Sequence, residues 1–133
     1  MVEGINMRQE DKELLLKDLC ARLPYGVKIN TIQGDFTLLG LTNERAFTTC
    51  EVEGCHNDFP IDCIKPYLFP LSSMTEEQKM FLKQQNWCIA ISTSGTVETT
   101  IEGFDWLNKN HLDYRCLIEK GLAIDATGLN IYC

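Results

Sequence analysis

Four soft metal ligands, Cys50, Cys55, His56 and Cys63, fall close together in the chain, and these are the side chains that hold zinc. Structural zinc sites draw their ligands in pairs about two to four residues apart. Cys50 and Cys55 are spaced more widely, and Cys63 stands alone in a stretch that reads as a strand. These are therefore weak metal candidates, and no cofactor is expected. A second chemistry is thiol hydrolysis, with Cys55 or Cys88 as nucleophile and His56 or His111 as base, since the two need only meet in space. No nucleophile motif surrounds either cysteine, so the favoured reading is a loop histidine and buried thiols. Thr93-Ser94-Gly95-Thr96 lacks the lysine and following helix of a phosphate loop and reads as a hairpin turn. Asp58 with Asp62, or Glu102 with Asp105, could pair as acid and base only inside a cleft. The richest group is Trp106, His111, Tyr114 and Arg115, joined by Tyr67: aromatic rings beside an arginine are what binding surfaces use. The sequence therefore points to binding at these residues rather than to catalysis.

The elements that must position them are read from periodicity. Residues 10–23 form an amphipathic helix with Leu15, Leu16, Leu19, Cys20 and Leu23 on one face and Asp18 elsewhere, stopped by Pro24. The period then shortens to two. Strands are predicted at 27–32, 36–42 and 46–52, followed by an edge strand at 59–64 and an extended strap punctuated by Pro60, Pro66 and Pro70. Tyr67, Leu68, Phe69 and Leu71 of the strap need cover, and are expected to clasp the two halves into one core. Thr75 and Gln78 read as a capping box that opens a helix to residue 85. Strands at 87–92 and 96–101 follow, then a helix opened by Gly103 with Phe104, Leu107 and His111 on one face. A short helix from Tyr114 to Lys120 stopped by Gly121, and strands at 122–124 and 129–132, complete the reading. The expected fold is α+β in a single domain spanning residues 1–133: residues 8–74 supply the amino-terminal helix, the small antiparallel sheet (an SH3-like barrel in one version) and the strap, and residues 75–133 pack on them.

A chain of 133 residues with a net charge of −7 is a poor phosphate-backbone binder, because such proteins carry a basic stripe. Nucleic acid is therefore not expected as a partner. The charge leaves one further reading, an acidic mimic that blocks a basic nucleic-acid groove. Met1 to Asn6 shows neither a basic region nor an apolar run, and no stretch is long and apolar enough to span a bilayer, so a cytoplasmic protein without membrane contact is expected. Seven cysteines, an odd number, fit reduced thiols better than a disulfide framework.

Two strings carry a likeness. Ile64-Lys65-Pro66-Tyr67-Leu68 leading to Ser72-Ser73-Met74-Thr75-Glu76-Glu77, and Phe104-Asp105-Trp106-Leu107-Asn108-Lys109-Asn110-His111 with Asp113-Tyr114-Arg115, resemble an uncharacterised family of small proteins of gut anaerobes and their phages and mobile elements. The Leu14 to Val27 region matches too. This chain departs in having Phe69 where the relatives are basic, which weakens an anion site in the strap, and Cys116 where they have glycine. The resemblance implies an accessory protein of phages or mobile elements that binds a protein partner or a small, nucleotide-like ligand, and implies no catalytic residues.

Overall fold

A computed structural model describes residues 7–49, 57–87, 89–91 and 97–132 of the chain. Helix α1 (Gln9–Arg22) buries Leu15 and Leu19 completely, and a 3-10 turn over Leu23–Tyr25 carries Pro24 and ends at Gly26. Proline disfavours helical backbone in the residue before it, which is why the helix tightens and stops there. The apolar stripe differs from expectation at two positions: Cys20 is exposed, whereas Asp18 is buried.

The two-residue period becomes a meander of β1 (Lys28–Thr31), β2 (Gly34–Leu41), β3 (Arg45–Thr48) and β4 (Asp58–Pro60), each antiparallel to the one before. The β1–β2 pairing runs from Lys28↔Thr37 to Thr31↔Gly34, so the loop is Ile32-Gln33. Gly34 sits at φ +130°, a backbone state that side chains rarely tolerate. The register of β2 shifts between Leu38 and Gly40, which leaves Leu39 in solvent.

The proline-punctuated segment is not a strap laid over the sheet. After a 3-10 turn over Ile61–Cys63 it forms β5 (Lys65–Pro70), an interior strand of the path β4-β3-β2-β1-β5-β8. The prolines occupy its second and last positions, and backbone groups between them are engaged from other parts of the chain. Tyr67 C=O accepts from the Tyr132 hydroxyl, Leu68 C=O from Ala126 N–H, and Phe69 N–H donates to His111 C=O, each at 2.8 Å. Pairing is antiparallel to β1 and parallel to β8 (Leu112–Asp113) and β9 (Ile124–Asp125). Among the described residues this sheet is open from β4 to β8 and does not close into a barrel.

Helix α2 (Glu76–Gln84) opens on the expected capping box. Gln78 N–H donates to Thr75 Oγ1 at 3.1 Å and Thr75 N–H donates to Gln78 Oε1 at 2.9 Å. The hairpin β6 (Ala90–Ile91) and β7 (Val97–Glu98) pairs antiparallel around positions 92–96, which lie outside the described residues. Helix α3 (Ile101–Lys109) starts before Gly103, because Thr100 is its N-cap and accepts from Gly103 N–H at 3.0 Å. Gly103 serves close approach instead: a Cβ there would collide with the Thr99 side chain. His111 is beyond the helix, at φ +59°, and so does not share its apolar face.

The helix expected over Tyr114–Lys120 contracts to one turn. The Asp113 carboxylate accepts from Leu117 and Ile118 N–H, each at 3.0 Å, and Gly121 at φ +76° closes the turn with Leu122 N–H on Leu117 C=O and Gly121 N–H on Ile118 C=O. Residues 129–132 form no strand. The fold is α+β, with a large aliphatic core (including Leu15, Leu19, Ile29, Leu68 and Leu117) and a smaller cluster around Val97, Leu107, Leu112 and Tyr114.

Candidate functional site

Between the end of β5, the start of α2, the end of α3 and Tyr132 lies a cleft of about 600 Å³. That falls in the range of small-molecule sites, roughly 300–1,000 Å³. Its floor is a stack: the His111 imidazole lies on the Tyr132 ring with centroids 3.7 Å apart and planes 12° apart, and Phe69 tilts against Tyr132 at 5.9 Å. Tyr132 is held at its hydroxyl, which accepts from Lys28 N–H and donates to Tyr67 C=O, both at 2.8 Å. Burial pushes this phenol up to about 12. His111 is fixed through its backbone, whose C=O accepts from Phe69 N–H and whose N–H donates to Asn108 C=O. Burial, and then the nearby Arg22 guanidinium, lower the imidazole to about 4, so it is neutral at pH 7. Lys28 and Lys109 are among the lining residues, the Lys28 ammonium also donating to Thr37 Oγ1 at 3.1 Å, and among the described residues lining the cleft there is no carboxylate.

Behind the floor is a buried polar cluster. Asp18 lies between two guanidiniums, accepting from Arg22 Nε at 2.7 Å and Arg115 Nε at 3.1 Å. Arg22 Nη2 donates to Leu112 C=O at 2.6 Å. Both guanidiniums pack on the Tyr114 ring, with centroid distances of 5.2 Å for Arg22 and 4.9 Å for Arg115. Tyr114 donates its hydroxyl proton to Asn108 Oδ1 at 2.8 Å and accepts from Arg115 Nη2 at 3.2 Å. The cluster binds α1 to the α3–β8 segment. Among the described residues, Arg22 Nη1 and His111 Nδ1 are buried without a partner.

The residues picked from sequence therefore separate. Tyr114, 6% exposed, and Arg115 belong to the buried cluster, while His111 lies in the cleft floor. Trp106 is half-buried elsewhere, stacked on Phe81 at 5.9 Å, and Phe81 in turn meets Trp87 edge-on at 5.8 Å. Tyr67 is buried and donates to Asp35 at 2.7 Å across the meander. Of the metal candidates Cys63 alone is described; Cys50, Cys55 and His56 lie outside, as do Cys88 and the 93–96 turn. Among the described residues no group of three or more His, Cys, Asp or Glu could hold a metal. The described cysteines, Cys20, Cys63 and Cys116, do not line the cleft, and burial raises the thiols of Cys63 and Cys116. Asp58 faces Arg45 and Asp62 faces Lys12, so these two carboxylates serve separate ion pairs. Glu102 and Asp105 are exposed on α3.

Sequence reasoning did not pick out Lys28, Phe69, Lys109 or Tyr132. The one visible signal was at Lys28, a lysine kept between apolar Val27 and Ile29 in an acidic chain. No described helix is long and apolar enough to cross a membrane. Compared with protein-family models, curated proteins and solved structures, the chain matches none.

Proposed function

We propose that the protein is a non-enzymatic binding protein whose working surface is the cleft between β5, α2, α3 and Tyr132, and that it receives a small ligand there. One observation carries this reading: the cleft has a floor of stacked rings and, among its described lining residues, two lysines and no acid, in a chain of net charge −7. Binding sites are concave and set apolar surface beside convergent polar groups, and this lining mixes the two about evenly, with its rings beside Ser73, Thr75, Gln78 and the lysines. A hydrolytic role draws little support from the cleft itself. An imidazole lowered to about 4 is a weak base, and burial raises the thiols of Cys63 and Cys116, neither of which lines the cleft. The resemblance to small proteins of gut anaerobes and their phages supports an accessory role of this kind.

The reading is tested by titrating the intact, isotope-labelled chain with a set of neutral and charged aromatic fragments. Fragments that bind should move the ring signals of Phe69, His111 and Tyr132 together. A set that moves none of these, or moves only Phe81 and Trp106, would overturn the cleft as the working surface.

A further inference from the structure

We infer that the cleft takes a small organic anion, a phosphate or carboxylate group carried on a flat ring. This rests on the reading of the cleft as the binding site, and narrows it to a ligand class. The charge of the lining is the first support. The chain holds 19 acidic residues against 12 basic ones, yet the described lining contains Lys28 and Lys109 and no carboxylate. Glu76 and Glu77, which open α2 next to the cleft, do not line it.

The hydrogen-bonding groups left for a ligand point the same way. In the capping box the Gln78 Oε1 accepts from Thr75 N–H, and the two amide hydrogens of that side chain are free to donate. An ammonium has donors and no acceptor, so Lys109 adds donors, and Lys28 adds those not given to Thr37 Oγ1, whereas the Ser73 hydroxyl and one Asn110 amide hydrogen are spent on the Pro70 and Trp106 carbonyls. The donors that remain, on Gln78 and the lysines, suit a group made of acceptor oxygens.

The buried cluster behind the floor adds a third, independent contribution. One carboxylate, Asp18, is shared by Arg22 and Arg115, so these three groups together carry a net charge of +1. Arg22 reaches the wall of the cleft, its Nη2 donating to the C=O of the lining residue Leu112 at 2.6 Å. A positive charge held at low dielectric is screened less than the surface acids around it.

The flat portion of the ligand follows from the floor. The parallel His111 and Tyr132 rings and the tilted Phe69 present aromatic surface, against which a planar group stacks. A cleft of about 600 Å³ holds both parts of such a molecule. A nucleic-acid strand is disfavoured: the surrounding protein is acidic, and a polyanion needs a longer basic track than two lysines.

The test uses the full chain with four probes: adenosine monophosphate, naphthoate, adenosine and inorganic phosphate. One or both of the ring-bearing anions should move the Phe69, His111 and Tyr132 ring signals and bind at least about tenfold more tightly than adenosine or phosphate alone. The stronger of the two identifies the acid group as phosphate or carboxylate. In a Lys28→Gln, Lys109→Gln double variant the anion should weaken by about tenfold while adenosine is unchanged. Lys109→Gln alone, at an exposed position, gives a smaller loss in the same direction and guards against a folding defect in the double variant. Adenosine binding as tightly as its monophosphate would overturn the anion, and phosphate binding as tightly would overturn the ring. Should neutral fragments move the three rings while neither ring-bearing anion does, the ligand class fails and the binding reading stands. Should nothing move them, both fail.

Discussion

The two apolar clusters of this protein are built differently. The larger one, under α1 and the meander, is mainly aliphatic and closed, with a single stacked pair of rings, Phe36 and Phe59, at its side among the described residues: Leu15, Leu19, Ile29, Ile61 and Leu68 are all fully buried. The smaller one is aromatic and half-wet, with Phe104, Trp106 and Phe69 only partly covered and Phe81 39% exposed beside it. The first can hold a fold, whereas the second leaves ring faces and edges available at the surface. The cleft and the buried Asp18 cluster lie at the seam, where β5 and α1 from the larger side meet α3 and β8 from the smaller. A rigid strand supplies Phe69, and the chain that follows α3 supplies His111, so the site draws position from one region and ring surface from the other.

The comparison breaks most completely at the seam. Asp18→Ala would leave Arg22 and Arg115 unpaired against the same tyrosine ring, and loss of one partner from a buried ion pair costs about 3–5 kcal/mol. Urea unfolding should show a loss of that size, and a cost below about 1 kcal/mol would mean the cluster is solvated rather than dry. Next comes Leu19→Ala, adjacent in sequence but entirely within the aliphatic core, where such truncations cost about 2–5 kcal/mol. Phe81→Ala should cost less, roughly 1–2 kcal/mol, because the ring is already partly in water and loses chiefly its contacts with Trp87 and Trp106. Its clearer signature is tryptophan fluorescence: emission should shift to the red as both indoles gain solvent.

Much of the meander was legible because an alternating pattern directly encodes which side chains face inward. The capping box at Thr75 and Gln78 and the stop at Gly121 were equally legible, since each is decided by residues three or four positions apart. What stayed hidden depends on partners far along the chain. Asp18 looks like a solvated helix residue until Arg115 arrives from the other end of the protein. The prolines of β5 suggest a strap because prolines usually mark edges, and the strand is revealed only by β8 and β9. Those partners are two residues long, too short to show any period. Tyr132 reads as part of a strand, and nothing nearby announces that its hydroxyl bridges β1 and β5. The recognition group dispersed for the same reason: Trp106, His111, Tyr114 and Arg115 are neighbours in sequence, but the left-handed residue at 111 sends the chain in a new direction.

The smallest expected effect sharpens the comparison by asking how dry the seam is. Burial, and then Arg22, hold His111 at about 4 against an ordinary value of 6.5. The unfolded chain therefore takes up a proton near pH 6.5 that the folded chain refuses until about pH 4, so this stability is whole above 6.5 and is lost as the pH falls through that window. The ring edge retains some solvent, which limits the contribution to on the order of 1 kcal/mol. His111→Asn is the control, because asparagine tolerates the left-handed backbone at φ +59° and does not titrate. Both proteins share every carboxylate, so acid titration elsewhere largely cancels when their unfolding free energies are subtracted. The stability of the wild type relative to the variant should fall by about that amount from pH 6.5 to 4. An anion seated in the cleft would favour the protonated imidazole and shrink the change. A difference that stayed flat in the ligand-free protein would place the imidazole in water, and the seam would then resemble the half-exposed aromatic cluster rather than the aliphatic core.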